Sequence, residues 1–179
     1  MDSINRDQHE HNRQDLSAGD AVARIQDISG DADSCFFCTT PLADSPTGGT
    51  RPMSIKKADD TGALWFLSAA DSHKNAEIAA DPAVRLYMQS SKHSGFLVLH
   101  GTATISRDRD RIDDLWNPIV KTWFTEGKDD PRITVIKVTP TDGYYWDNKH
   151  GDFVAATKMM IGAAVGKTLD DSIEGAIAP

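Results

Sequence analysis

Three side chains in this acidic chain, Arg51, Ser72 and Lys74, are of the types that bind an anionic group. Lys74 falls in the first turn of a predicted helix, where unpaired backbone N–H groups and the helix dipole favour a negative charge. A phosphate at that helix end would be bound by the lysine ammonium and the Ser72 hydroxyl, and Arg51 would add a bidentate guanidinium. The alternative is a solvated lysine with Asp71 as its counter-charge, and the spacing alone leaves both interpretations open.

A second candidate for chemistry is the pair Cys35 and Cys38 in the segment DSCFFCTTP. In a strand these residues point to opposite faces with their α-carbons about 10 Å apart, whereas a disulfide needs about 4.4–6.8 Å. A redox Cys-x-x-Cys normally opens a helix that lowers the thiol pKa, and no helix follows here. A zinc site would need further Cys or His ligands at suitable spacing. We therefore predict two structural cysteines and no metal site.

Tryptophans provide a third set of candidate binding residues. Trp65 and Trp146 lie in strand-like segments, and we interpret them as core residues. Trp116 and Trp123 straddle Pro118 and are therefore difficult to place together in one core. Tryptophans beside a phosphate-binding corner would suit a flat, planar ligand.

These candidates are carried by a chain that alternates short β-type runs with turn residues. The predicted strands are 34–40, 51–58, 63–70, 83–91, 95–107, 131–140 and 141–148. The predicted helices are 21–28, 71–82, with Ala76, Ile78 and Ala79 inside, and 108–124, interrupted by Pro118. Most links are too short for parallel crossovers, so we predict a mainly β protein with a barrel of six to seven antiparallel strands and short flanking helices. Gly101 is expected to mark a bulge in the long strand 95–107.

We predict a disordered N-terminal arm at 1–18, a β-barrel domain at 19–150, and a C-terminal helix with a weakly structured tail at 151–179. The formal charge of −8 argues against general binding to nucleic acid or to anionic membranes. No apolar run approaches the ~20 residues of a membrane span, and the N-terminus lacks the apolar region of a secretory signal. We therefore expect a cytoplasmic protein.

Taken together, three segments resemble the general stress protein 26 family: RPM, which opens a strand, LWFLSAADSHKNAEIAADPAVRL, and GTATISRDRDRIDDLWNPIVKTWFTEGKDDPRITVIKVTPTDGYYWD. That family belongs to the pyridoxamine 5′-phosphate oxidase-like superfamily of flavin-binding split β-barrels. The resemblance covers roughly residues 20–165. It implies a split barrel that binds FMN, or alternatively FAD.

The resemblance also implies three groups of flavin-binding residues. Those at the flavin phosphate are Arg51, Ser72, His73 and Lys74. Those that line the isoalloxazine ring from two neighbouring strands are Pro52, Met53, Phe66, Leu67 and Ser68. The superfamily places its flavin at a homodimer interface, so Trp116 and Trp123 are expected to pack near the ring from the second subunit.

The resemblance suggests a flavin-binding general stress protein, and both binding without turnover and oxidoreductase or flavin reductase activity remain open. No acid–base pair stands out, and His73 is the nearest catalytic candidate. One alternative is a pyridoxamine 5′-phosphate oxidase-type enzyme, although the chain shows no match to the substrate site or the C-terminal segment of the true oxidase. Another is a non-catalytic module for deazaflavin F420 or for haem, with His93 or His100 as axial ligand.

Overall fold

A computed structural model describes residues 12–90, 95–148 and 172–179 of the chain. The strands are β1 (Leu16–Ser17), β2 (Ser34–Thr39), β3 (Thr50–Ser54), β4 (Lys57–Ala58), β5 (Leu64–Ala69), β6 (Ala83–Gln89), β7 (Phe96–Ser106), β8 (Ile133–Asn148) and β9 (Ser172–Ala178). The helices are α1 (Ala18–Ala32), α2 (His73–Ala80) and α3 (Arg109–Leu115), and short 3₁₀ helices lie at Pro118–Thr122 and Gly127–Asp129. The predicted mainly β class with short flanking helices is confirmed.

The strands form one sheet with the order β1-β9-β8-β7-β6-β2-β3. Strand β8 is long enough to pair with β7 along one edge and with both β5 and β9 along the other. Strand β4 pairs with β5, and β1 runs parallel to β9, whereas the other named strand pairs are antiparallel. Among the described strands β3 pairs with β2 but not with β5, so the sheet does not close there.

The period-2 alternation of β5 divides its side chains between two hydrophobic clusters. Phe66 enters the main core, which is enclosed by the sheet and α1 and includes Phe37, Leu86, Leu99 and Tyr145. Trp65 faces the second cluster, which packs beneath α3 and the Pro118–Thr122 helix. These two clusters hold β5 in place between them.

The predicted bulge at Gly101 is confirmed, and it explains why two predicted strands are one. The β7–β8 register shifts between His100 and Gly101, so that His100 pairs with Asp142 and Gly101 with Pro140. A Cβ at Gly101 would lie 2.5 Å from the Thr139 carbonyl oxygen, which explains the glycine. The prediction of separate strands at 131–140 and 141–148 is wrong because the bulge accommodates Pro140 and lets β8 continue.

Two helices differ from their predicted bounds. Helix α1 continues through Ser29, whose hydroxyl donates to the Ile25 carbonyl at 2.5 Å, and ends at Asp33 in the left-handed conformation. The single interrupted helix predicted at 108–124 ends at Leu115 instead. Asn117 then caps a separate 3₁₀ helix through the backbone N–H groups of Ile119 and Val120.

The described chain ends are more ordered than the sequence suggests. Residues 16–17 of the predicted disordered arm form β1, which pairs with β9. Residues 172–178 of the predicted weak tail form β9, because Ile177 is buried in the main core and β8 supplies a pairing edge. Residues 1–11, His93 and the helix predicted after residue 151 lie outside the described residues. In the described part of the chain, no helix has the length and apolar character needed to cross a membrane.

Cys35 and Cys38 occupy opposite faces of β2, as predicted. Cys35 is buried, and burial together with the neighbouring Cys38 raises its thiol pKa to about 12. Cys38 is half-buried, and both thiols are free. The strand that they occupy pairs with β3, also as predicted, and this pairing sets Phe37 opposite Arg51.

This arrangement predicts one reactive thiol in the native protein. A colorimetric thiol reagent at neutral pH should modify Cys38 and leave Cys35 protected until denaturant is added, because the thiolate is the nucleophile. Peptide mapping of the modified protein identifies the cysteine. Rapid native modification of Cys35, or a disulfide between the two, would contradict the β2 geometry.

Candidate functional site

A cavity of about 360 Å³ lies where β3 and β5 separate, beneath the start of α2 and beside the Pro118–Thr122 helix. Its lining residues are Arg51, Pro52, Met53, Ser54, Lys56, Leu67, Ser68, Ala69, Lys74, Val120, Trp123 and Phe124. Three of these described lining residues are cationic and none is acidic, although the chain as a whole carries a charge of −8. The volume is within the range typical of small-molecule sites. The cavity therefore has a positively charged corner, where Arg51 and Lys74 lie, and an apolar wall.

The turn before β3 directs Arg51 towards this corner. Gly48 and Gly49 have φ values of 57° and 81°, a left-handed conformation that favours glycine. A Cβ on Gly49 would lie 2.3 Å from the Thr39 carbonyl oxygen, so the close approach of β2 and β3 requires glycine there. Pro52 follows on β3, at the end of the strand order, where a missing N–H is tolerated.

The guanidinium of Arg51 is held by two residues that sequence reasoning missed. One terminal nitrogen donates to Thr39 Oγ1 at 2.6 Å, and the other donates to Glu77 Oε2 at 2.5 Å. Thr39 Oγ1 also lies 2.6 Å from Glu77 Oε2. Burial opposes ionisation of Glu77, but hydrogen bonds from neighbouring hydroxyls and from Arg51 outweigh it and lower the carboxyl pKa. Glu77 is therefore a buried carboxylate that faces Arg51.

Lys74 provides a second cation in the same corner. Its side chain is half-buried, and burial together with the positive charge of Arg51 lowers its pKa despite the opposing attraction of Glu77 and Asp71. The Lys74 ammonium makes no hydrogen bond or ion pair with another described residue. An anion between Lys74 and Arg51 would relieve the repulsion that lowers this pKa.

A buried polar network fixes the first turn of α2 against the sheet. Ser68 Oγ donates to Asn75 Oδ1 at 2.8 Å, and Asn75 Nδ2 donates to Thr134 Oγ1 at 2.9 Å. Thr134 Oγ1 donates in turn to the Ser68 carbonyl at 3.0 Å. Ser72 lies within reach of Ser68 and Asn75 and makes no side-chain cap bond to the helix. The network joins β5, α2 and β8, and thereby sets the position of Lys74.

The cavity brings together seven of the residues predicted to bind a flavin: Arg51, Pro52, Met53, Leu67, Ser68, Lys74 and Trp123. The others lie elsewhere. Phe66 is fully buried and packs edge-on against Phe37, with ring centroids 5.2 Å apart. Ser72 Oγ lies 3.2 Å from Ser68 Oγ, His73 is exposed at the start of α2, and Trp116 packs half-buried on the second cluster.

A wider depression of about 930 Å³ lies on the outer face of β2, β6 and β7. It includes His100, whose Nδ1 lies 2.6 Å from Asp142 Oδ1. Four exposed aromatic residues continue across this side of the sheet: Phe36, Tyr87, Phe96 and Trp146. The interpretation of Trp146 as a core residue is therefore wrong, whereas Trp65 is buried as predicted. We call these four residues the aromatic sheet face. Phe36 pairs with Tyr87 across β2 and β6, and Phe96 pairs with Trp146 across β7 and β8.

In a comparison with known proteins, residues 20–170 match a family model described as pyridoxamine 5′-phosphate oxidase like. Protein bli-3 of Neurospora crassa is 29% identical over 133 residues, which cover 68% of this chain and 64% of that protein. General stress protein 26 of Bacillus subtilis is 27% identical over 82 residues, which cover 44% of this chain and 58% of that protein. The chain thus spans less than two thirds of the length of both curated relatives.

Solved structures share the fold. A general stress protein 26 from Jannaschia sp. CCS1 has a TM-score of 0.72 at 23% identity, covering 89% of this chain and 98% of that one. A protein from Xanthomonas citri, described as a general stress FMN/FAD binding protein, has a TM-score of 0.60 at 23% identity, covering 74% and 91%. These similarities confirm the predicted split β-barrel.

Proposed function

Because the chain belongs to the pyridoxamine 5′-phosphate oxidase-like family, we propose that the cavity between β3 and β5 binds a flavin, with FMN as the first candidate and FAD as the alternative. The observation that carries the proposal is the pair of cations, Arg51 and Lys74, at one end of a cavity with an apolar wall. The Xanthomonas citri protein with this fold is described as binding FMN or FAD, which supports the same ligand class. When bound, the flavin supplies the redox chemistry.

Different residues of the chain would contact the phosphate and the ring of the flavin. Lys74 would contribute an uncompensated charge to the phosphate, and Arg51 would contribute directed N–H donors. Met53 and Leu67 would contact the ring from the two separated strands, and Trp123, 63% exposed at the cavity, would cover it. No described lining residue is a histidine, tyrosine, cysteine or carboxylate, so we assign no catalytic side chain.

The proposal is tested by purifying the protein and measuring its visible absorption and the mass of any released cofactor. A yellow protein that releases FMN, or a colourless one that binds added FMN, is the expected result. Titration with FAD and with riboflavin measures how much more tightly the site binds FMN, the monophosphate, than these two flavins. A protein that binds none of these flavins would contradict the assignment.

Trp123 offers a residue-level test of the ring position. Trp123→Ala should weaken FMN binding by roughly three- to tenfold, because it removes an aromatic contact with the ring. Ile119→Ala is the matched control, since Ile119 is similarly exposed in the 3₁₀ helix that ends just before Trp123 but does not line the cavity. Isothermal titration measures both affinities. Equal affinities for the two variants would exclude Trp123 from the ring site.

We also propose that the protein is a homodimer in which the aromatic sheet face is buried between subunits. The observation behind this proposal is the exposure of four aromatic residues on the successive strands β2, β6, β7 and β8: Phe36 at 58%, Tyr87 at 39%, Phe96 at 44% and Trp146 at 41%. Contiguous exposed aromatics of this kind are typical of interaction surfaces.

Light scattering after size exclusion tests the dimer. Phe36→Glu combined with Trp146→Glu should shift a dimeric mass to a monomeric one, because each substitution places a charge in the interface. Leu42→Glu, at an exposed apolar residue outside the aromatic sheet face, should leave the mass unchanged. A dimer that survives the paired substitution would exclude this face as the interface.

A further inference from the structure

We infer that Glu77 is a positioning residue for phosphate binding: it holds the Arg51 guanidinium so that its remaining N–H donors serve a phosphate in the cavity. The inference rests on the proposed flavin function and extends it to a residue that does not line the cavity. Glu77 would act on the ligand through Arg51 and not by direct contact.

The burial of Glu77 is the first observation. Its side chain has no solvent exposure, and among the described residues its Oε1 makes no hydrogen bond. A buried carboxylate with an unsatisfied oxygen is costly, and buried ion pairs can often be replaced by apolar residues without loss of stability. Stability alone therefore gives little reason for an ionisable group here, whereas the placement of Arg51 does.

The second observation concerns which N–H donors of the Arg51 guanidinium already have an acceptor. Arginine has five N–H donors, and one of them points to Thr39 and one to Glu77. Three donors remain, including Nε, for which no acceptor is found among the described residues. Arg51 also lines the cavity, so these donors are available to a phosphate with bidentate geometry.

The third observation is the charge balance at the corner. Glu77 offsets Arg51, and Lys74 leaves this group of three with a net charge of +1. Without the carboxylate, nothing in this group would offset the repulsion between Arg51 and Lys74, and only Thr39 would still hold the guanidinium. The fixed orientation of Arg51 should therefore matter for ligands that carry a phosphate and not for those that lack one.

Comparison of FMN with riboflavin tests this inference, because riboflavin has the same ring without the phosphate. Glu77→Met should reduce the ratio of FMN to riboflavin affinity at least about tenfold, the effect of losing directed charged hydrogen bonds, with riboflavin affinity unchanged. Glu77→Gln should retain most of the ratio, since its amide oxygen can still accept from Arg51. Asp81→Asn, at the other end of α2 where Asp81 accepts from Thr40, is the matched control and should leave the ratio unchanged.

Thr39→Val provides an independent variant and carries the test if Glu77→Met does not fold. It removes the second acceptor of Arg51 and should also lower the FMN to riboflavin ratio, with riboflavin binding retained. An unchanged ratio in the folded variants would overturn the inference. An equal loss of affinity for FMN and riboflavin would show that Glu77 has only a structural role, which would also overturn the inference. Tighter FMN binding by the variants would overturn it too, because Glu77 would then compete with the phosphate. If the unsubstituted protein binds neither flavin, the proposed function itself fails.

Discussion

Lys74→Glu is expected to weaken FMN binding at least about a hundredfold, because it places a carboxylate where the phosphate should bind. At a separation of about 4 Å and an effective dielectric constant of 20, one pair of unit charges interacts by about 4 kcal/mol. Reversal replaces an attraction with a repulsion, so a hundredfold loss is a conservative expectation. The fold should be retained, since the Lys74 side chain makes no hydrogen bond or ion pair with the described residues.

The affinity is measured by titration of the apo protein with FMN, and circular dichroism checks the fold. Lys57→Glu is the matched control, because it makes the same charge change at an exposed lysine that pairs with Asp114 outside the cavity. If Lys74→Glu and Lys57→Glu bind FMN equally well, the phosphate does not bind at this corner.

Arg51→Met is expected to lower the free energy of unfolding of the ligand-free protein by about 3–5 kcal/mol, since it leaves the buried Glu77 carboxylate without its partner. The double variant Arg51→Met with Glu77→Met should recover most of this loss, because no buried charge then remains. Arg109→Met removes an exposed ion pair with Asp129 and should cost no more than about 1 kcal/mol. Denaturant unfolding measures all three variants.

The loss of unfolding free energy caused by Arg51→Met should depend on pH. In the unsubstituted protein the pKa of Glu77 is lowered, so its contribution to stability is present above the unfolded pKa and is lost as the pH falls through the folded pKa. In Arg51→Met, burial without a partner should instead raise this pKa, so that acidification protonates Glu77 and relieves the penalty. The stability gap should therefore narrow as the pH falls below 7 into the carboxyl range. A gap that is small at neutral pH would contradict the buried ion pair.

Much of the fold could be predicted from short-range sequence patterns. The alternation in β2 and β6 and the turn residues around them locate both strands to within two residues at each end. The glycine at position 101 predicts the bulge. The continuity of β8 could not be predicted, because Pro140 looks like a strand end until Gly101 lies opposite it.

The candidate site was predicted in part. Arg51 and Lys74 are noticeable as cations at the start of a strand and a helix, but Thr39 and Glu77 carry no local signal. The hydrophobic pattern places Ala76, Ile78 and Ala79 inside the helix, whereas the structure buries Asn75 and Glu77 with Ile78. This face of α2 is polar because it meets hydroxyl and guanidinium groups from the sheet.

The sequence by itself determined the mainly β class, the positions of most strands, and two cations and a tryptophan of the cavity, because alternation, turn chemistry and charge are properties of neighbouring residues. Only the tertiary structure decided how Arg51 is held. Glu77 lies 26 residues from Arg51 and 38 from Thr39, and it becomes their partner only when α2 packs on the sheet. The cost of burying a carboxylate makes this pairing specific, and no local pattern in the sequence records it.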